Sequence, residues 1–299
     1  MAKKTSATKT AAKKTSKTKA SPPPKGVAKG AGLAAATNSK NPVNHRIAAL
    51  QTLPPSVYNT GDALDSMMKI LASTDEPMKM RLAALQSLGS AAFSSEAFPA
   101  ARADYIATLR KVSSDPDPEL RSRVLGILSR EKDGYAQTKL LKGLQDPAQA
   151  LVAPEKALQL LGNDVHADAY KVARTIAGAP PNPAARREAL RLLAGDTASA
   201  PMLETVLRDK AEPTDVRQIC ASALHAINPV KLQQTAREIL MDKTDNAEVH
   251  QTCLTALTHF GGPAVADDKA LVTRISKMSG TAKTGVQKSA RQFLEKYGH

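Results

Sequence analysis

Residues 212–224 read EPTDVRQICASAL, and the recurrence of this stretch decides the fold. EPTD is a turn that places Pro, Thr and Asp at a helix start. From Val216 the apolar positions return at three- and four-residue intervals, one face of a 3.6-period helix. A small residue falls at Cys220 and a leucine at Leu224. The same line recurs as MRLAALQSL (80–88), LRSRVLGIL (120–128), APEKALQLL (153–161) and ARREALRLL (185–193). It continues as VHQTCLTAL (249–257) and VQKSARQFL (286–294). Successive final leucines are 40, 33, 32, 31, 33 and 37 residues apart, the regular period of a repeat architecture.

Turn signals precede most of these lines: DEP at 75–77, DPDP at 115–118, PPNP at 180–183 and DNAE at 245–248. They supply Asp, Asn and Thr caps and early prolines. Upstream of each turn lies another amphipathic stretch, from ALDSMMKILAS to ALVTRISKMS. No strand pattern competes. The expected fold is therefore all-α, a helix–turn–helix unit repeated about seven times. Composition agrees: there is no Trp, aromatics make up 3%, and the 42% apolar content is mostly small aliphatic. Such side chains suit closely stacked helices.

The turn into the second helix, seen in DPELR ending at Arg121, NPAARR at Arg186 and TDVR ending at Arg217, resembles the signature of HEAT-like repeats. The small-residue and leucine stripe that follows completes it. The resemblance covers about residues 62–294 and implies an α-solenoid over 62–299. Residues 41–61 are expected to be a linker or partial capping helix. The third, sixth and seventh lines depart from the pattern, with Pro154, His250 and Gln287 in the arginine position. What HEAT-like arrays imply for Arg81, Arg121, Arg186 and Arg217 is a ladder of bonds to neighbouring turns. The alternative is a basic face on the second helices that adds Arg123, Lys156, Arg187 and Arg191. Of HEAT-like enzymes, DNA glycosylases match in neither pocket nor catalytic carboxylate, and bilin lyases match only in the repeat.

Charge is uneven. Residues 1–40 contain ten lysines and no acid, whereas residues 41–299 hold 32 basic and 28 acidic side chains. A lysine-, threonine- and alanine-rich tail of this kind cannot offset its ordering entropy and is expected to be disordered. Its strings, such as TAAKKTSKTKAS, resemble linker-histone tails. That resemblance implies phosphate binding through Lys3, Lys4, Lys9, Lys13, Lys14, Lys17, Lys19, Lys25 and Lys29, independent of sequence and sensitive to salt. Arg186, Arg187 and Arg191 are the candidate anion-binding residues of the body.

Catalytic motifs are missing. There is no G-x-S-x-G elbow, Walker loop or G-x-G-x-x-G, and no close pair of metal-ligating residues among His225, His250, His259 and the cysteines. Cys220 and Cys253 hold the small position of adjacent lines, taken elsewhere by Ala or Val, so both read as core. With Arg81, Arg121 and Arg217 they form the expected inter-repeat structural set. Neither catalysis, a metal nor a cofactor is expected. The sequence reading is a protein-binding scaffold, monomeric outside complexes and cytoplasmic or nucleoid- or nucleus-associated. Its tail meets an anionic partner, with DNA or RNA as the alternative reading. No apolar run is long enough to span a membrane.

Overall fold

The computed structural model describes residues 31–282 and 284–298, and every regular element among them is helical. Two compact units divide at residues 99 and 100.

In the first unit, α1 (Ala31–Thr37) pairs with α2 (Val43–Gln51), and α3 (Gly61–Ala72) pairs with α4 (Met78–Ser94). The pairs stack like on like, α1 against α3 and α2 against α4. This moves one expected boundary. Residues 31–37 are helical although they fall in the segment read as tail, and the segment read as a linker or partial capping helix, 41–61, contains α2 and a 3-10 turn, Pro55–Asn59. The line over α2 is HRIAALQTL (45–53), which shares Arg, both alanines, both leucines and Gln with MRLAALQSL (80–88). Its Leu50 is buried. It is the first of eight helical pairs among the described residues, where seven were expected. Residues 1–30, with the nine candidate tail lysines, lie outside the described residues.

The second unit begins within α5 (Phe98–Val112) and continues with α6 (Pro118–Arg130), α7 (Gly134–Gln145) and α8 (Pro154–Leu161). Then follow α9 (Ala167–Gly178), α10 (Pro183–Leu192), α11 (Ala200–Arg208) and α12 (Thr214–Ile227). The last are α13 (Pro229–Met241), α14 (Ala247–Phe260), α15 (Gly262–Ala266), α16 (Lys269–Thr281) and α17 (Thr284–Tyr297). First and second helices alternate. The second helices α6, α8, α10, α12, α14 and α17 form one continuous stack, each against the next. Within the pairs, α9 lies on α10, α11 on α12, α13 on α14 and α16 on α17. Residues 100–299 are thus a HEAT-like α-solenoid, in which each pair buries its apolar face against its neighbours.

The stripe explains the stacking. Leu88, Leu128, Leu161, Leu193, Leu224 and Leu257 are buried, as are Ala84, Val124, Ala157, Ala189, Cys220, Cys253 and Ala290. Leu294 is only partly covered, and the adjacent Phe293 fills the core instead. Helix starts follow the turn chemistry. Asp117, Asn182, Asn228 and Asp268 accept from the backbone amides of Leu120, Ala185, Lys231 and Leu271. The expected threonine cap is missing at α12, where Pro213 holds the cap position and Thr214 is the first helical residue. The glycine pair Gly261 and Gly262 follows the end of α14 at Phe260. Gly262 then has φ +65°, a conformation that side-chain-bearing residues rarely adopt.

Candidate functional site

The recurring turn acts first at the helix ends. The last carbonyls of an α-helix lack intrahelical partners. Here an arginine in the second helix reaches back to the penultimate carbonyl of the first. Arg46 Nε donates to Ala36 O at 2.8 Å, Arg81 Nε to Leu71 O at 2.9 Å, Arg186 Nε to Ala177 O at 3.2 Å and Arg217 Nε to Leu207 O at 2.8 Å. The other edge of the guanidinium faces forward. Arg46 grips Glu76 through two bonds of 2.7 and 2.6 Å, Arg186 grips Glu212 through two of 2.6 Å, and Arg217 grips Asp245 at 2.6 and 2.7 Å. Each acid stands immediately before the cap residue of the next second helix, Pro77, Pro213 or Asn246. The fork geometry of arginine suits such paired contacts.

Four repeats deviate, those of Arg121, Pro154, His250 and Gln287. His250 replaces arginine and its Nε2 lies 3.0 Å from both Ile239 O and Asp242 O. Both partners are acceptors, so Nε2 carries the proton. In the seventh line Gln287 Nε2 donates to Gly280 O at 3.3 Å. In the third line α8 starts at Pro154 itself, with no arginine, and Arg121 of the preceding pair donates to Leu151 O and to Asp115 O. Glu76, Glu212, Asp245 and Arg46 were not singled out in the sequence. Their signal was present as E-P-x-x-x-R at 76–81 and 212–217.

Electrostatics match this geometry. Burial pushes the Asp245 carboxyl up, but hydrogen bonds from Arg217 and the Asn246 amide more than reverse that and hold it below the usual carboxylate range. The Asp245 bond in turn raises Arg217. Cys220 and Cys253 are free thiols, 0% and 1% exposed, and burial pushes both up to about 12. They are therefore protonated at neutral pH and poor nucleophiles. Cys220→Ala and Cys253→Ala are each expected to cost within about 1.5 kcal/mol, as for small volume changes in a core. Thermal unfolding checks this, together with alkylation that proceeds only on denaturation; fast alkylation of the native protein would contradict it.

The arginines considered for anion binding are already engaged. Arg186 sits in the ladder, Arg187 lies 3.4 Å from Asp215, Arg191 pairs with Glu188 one turn away, and Arg123 pairs with Glu119 at 2.6 Å. Lys156 is half-buried. The structure does not gather these side chains into an unpaired basic face.

A concave feature does occur on the second helices. A cleft of about 600 Å³ opens between α12 and α14, floored by Ala221, Ala256 and Leu232 of α13. Its lining is polar, with Gln218, Ser222, Gln251 and Thr255, and carries one acid, Glu248. Gln218 Nε2 donates to Thr252 Oγ1 at 3.1 Å, bridging the two helices. At one end the His225 ring stacks on Phe260, with centroids 3.9 Å apart. His225 Nδ1 is buried without a partner among the described residues, and Phe260 is 51% exposed. An exposed aromatic beside an orphan acceptor or donor is costly in isolation and marks a surface suited to a ligand. Among the described residues no group of three His, Cys, Asp or Glu side chains is placed to hold a metal ion, and no helix is long and apolar enough to cross a membrane.

No family model matches this chain, and no curated protein does. Eighteen chains of solved structures match. One is human deoxyhypusine hydroxylase in complex with glycerol, at 16% identity and a TM-score of 0.36, covering 82% of this chain and 98% of that one. Another belongs to the structure in which Kap95p binding induces the switch loops of RanGDP to adopt the GTP-bound conformation. There the identity is 15%, the TM-score 0.40, and the match covers 90% of this chain and 34% of that one. This chain thus spans about a third of that protein's length. Likenesses at this level carry no inference about function.

Proposed function

We propose that the protein is a non-catalytic binding scaffold that holds an extended segment of a partner protein along its second helices, anchored at the cleft between α12 and α14. The supporting observation is the cleft itself. Gln218 and Gln251 offer neutral amides that both donate to and accept from a peptide backbone, and Phe260 offers an apolar platform for one side chain. His225, whose Nδ1 has no hydrogen-bond partner among the described residues, stands at the same end of the cleft. The tail lysines add non-specific attraction to an anionic partner without setting specificity.

A photo-crosslinking residue placed at Phe260 in the full-length protein tests this reading, with the same residue at Tyr135 on α7 as the control. Discrete protein adducts from position 260 that survive nuclease treatment, and survive Lys→Gln replacement of the nine tail lysines, are the expected result. Adducts equal at both positions, or lost with nuclease, would discard the protein-scaffold reading. The tail replacement is preferable to deleting residues 1–40, because that deletion removes α1 from its pair.

A further inference from the structure

The charge of the folded part is not spread along it. Residues 41–268 hold 25 Lys and Arg against 27 Asp and Glu, whereas residues 269–299 hold seven against Glu295 alone. The entire positive excess of residues 41–299 therefore belongs to the α16–α17 pair and its flanks. Pairing leans the same way, although Lys111, Arg130, Lys132, Lys142, Lys171 and Lys243 are exposed and make no ion pair among the described residues. Between 100 and 268, Arg110, Arg174, Arg208, Arg217, Arg237 and Lys210 each hold a carboxylate. On α16 and α17, Lys269, Lys277, Lys288 and Arg291 are exposed and make no ion pair among the described residues. Arg274 and Lys296 donate to the carbonyls of Leu240 and Thr258 and keep their charge. A solvated helix face needs polar residues, but it does not need them all to be of one sign.

We infer that the α16–α17 pair is a binding surface for the phosphate backbone of double-stranded nucleic acid, independent of the cleft and separate from the tail. Three features favour that partner. The cations are mostly lysines with no exposed large apolar residue among them: Phe93, Tyr135, Val230, Met241 and Phe260 all lie outside residues 269–298. Protein interfaces are depleted in lysine and built around aromatic or aliphatic anchors, which this surface lacks. A membrane surface retains a protein stably through charge combined with apolar insertion, and nothing here inserts. Stacking on single-stranded bases requires exposed aromatics, and Phe293 is buried while the Tyr297 hydroxyl is bonded to Gly262 and Thr258. What is left is a set of point charges suited to displacing counterions from a duplex.

The test uses the full chain, two DNA duplexes of unrelated sequence and anionic vesicles, read by fluorescence anisotropy and co-sedimentation. Lys277→Glu/Lys288→Glu/Arg291→Glu should weaken duplex binding at least tenfold and flatten the plot of log affinity against log salt by about 2 to 3, at roughly 0.9 per lost phosphate contact. Arg187→Glu/Arg191→Glu should change affinity less than twofold. With the nine tail lysines replaced by Gln, weaker duplex binding should persist and then disappear on adding the triple reversal. Circular dichroism verifies folding, and the neutral version, Lys277→Gln/Lys288→Gln/Arg291→Gln, should flatten the salt dependence in the same way. An unchanged slope in either triple variant, complete loss of binding on tail replacement alone, or tighter binding to the vesicles than to the duplexes would overturn the assignment. None of these outcomes depends on what the cleft binds.

Discussion

Arg217→Met is expected to destabilise the protein by about 3–5 kcal/mol, the usual cost of breaking a buried ion pair from one side. The residue is 1% exposed, and its partner Asp245 has a side chain 3% exposed. Removing the guanidinium strands the carboxylate and frees the Leu207 carbonyl at the end of α11. Replacing both partners with apolar residues, Arg217→Met/Asp245→Leu, should recover much of the loss, because the penalty lies in the unpaired charge. Urea unfolding of both variants decides the point, and a single-variant loss below about 1 kcal/mol would remove the ladder from the list of major stabilising features. The pH sign follows from the depressed Asp245 carboxyl. Its contribution is fully present above the unfolded value of about 3.9 and is lost as pH falls through the lower folded value. The pair therefore does not weaken between neutrality and mild acid.

Cys220→Glu should be at least as damaging, and the protein is expected to be insoluble or unfolded at room temperature. Position 220 is fully buried in the face that α12 presents to its neighbours, where a small side chain is required. A carboxylate there has neither water nor a cation free to receive it, since Arg186 and Arg217 are held by Glu212 and Asp245. Soluble expression and circular dichroism measure the effect. A folded Cys220→Glu variant would show that the stripe is misregistered on α12.

Repeat, period and core were legible because they are local. Leucines and small residues at fixed helical offsets mark the buried face wherever they occur. What escaped depends on longer range or on competing composition. The pair α1–α2 was hidden because AGLAAAT adjoins a lysine-rich stretch and the NPVNHR turn has no acid before its proline, although Arg46 stands at the rung position. The acidic halves of the rungs escaped because Arg186 and Glu212 are 26 residues apart, and no single repeat contains both ends of a bond that joins two repeats. The cationic pair escaped for an arithmetical reason: a net +4 over residues 41–299 conceals opposite signs in its two parts. The cleft escaped because neutral glutamines, an isolated histidine and one phenylalanine carry no motif until two helices bring them together.

The rungs also grade the cooperativity of the array. In a one-dimensional chain of units the folded block is as long as its nearest-neighbour couplings are strong. Between the α9–α10, α11–α12 and α13–α14 pairs the coupling includes charged forks, Arg186 to Glu212 and Arg217 to Asp245. Between α8 and α10, where Pro154 replaces arginine, the corresponding link is a neutral amide, Asn182 Nδ2 to Glu155 Oε2 at 3.2 Å. The helix α12, one wall of the cleft, is thus the element held by a charged fork on each side, Arg186 to Glu212 and Arg217 to Asp245, so that wall is fixed from both directions along the stack.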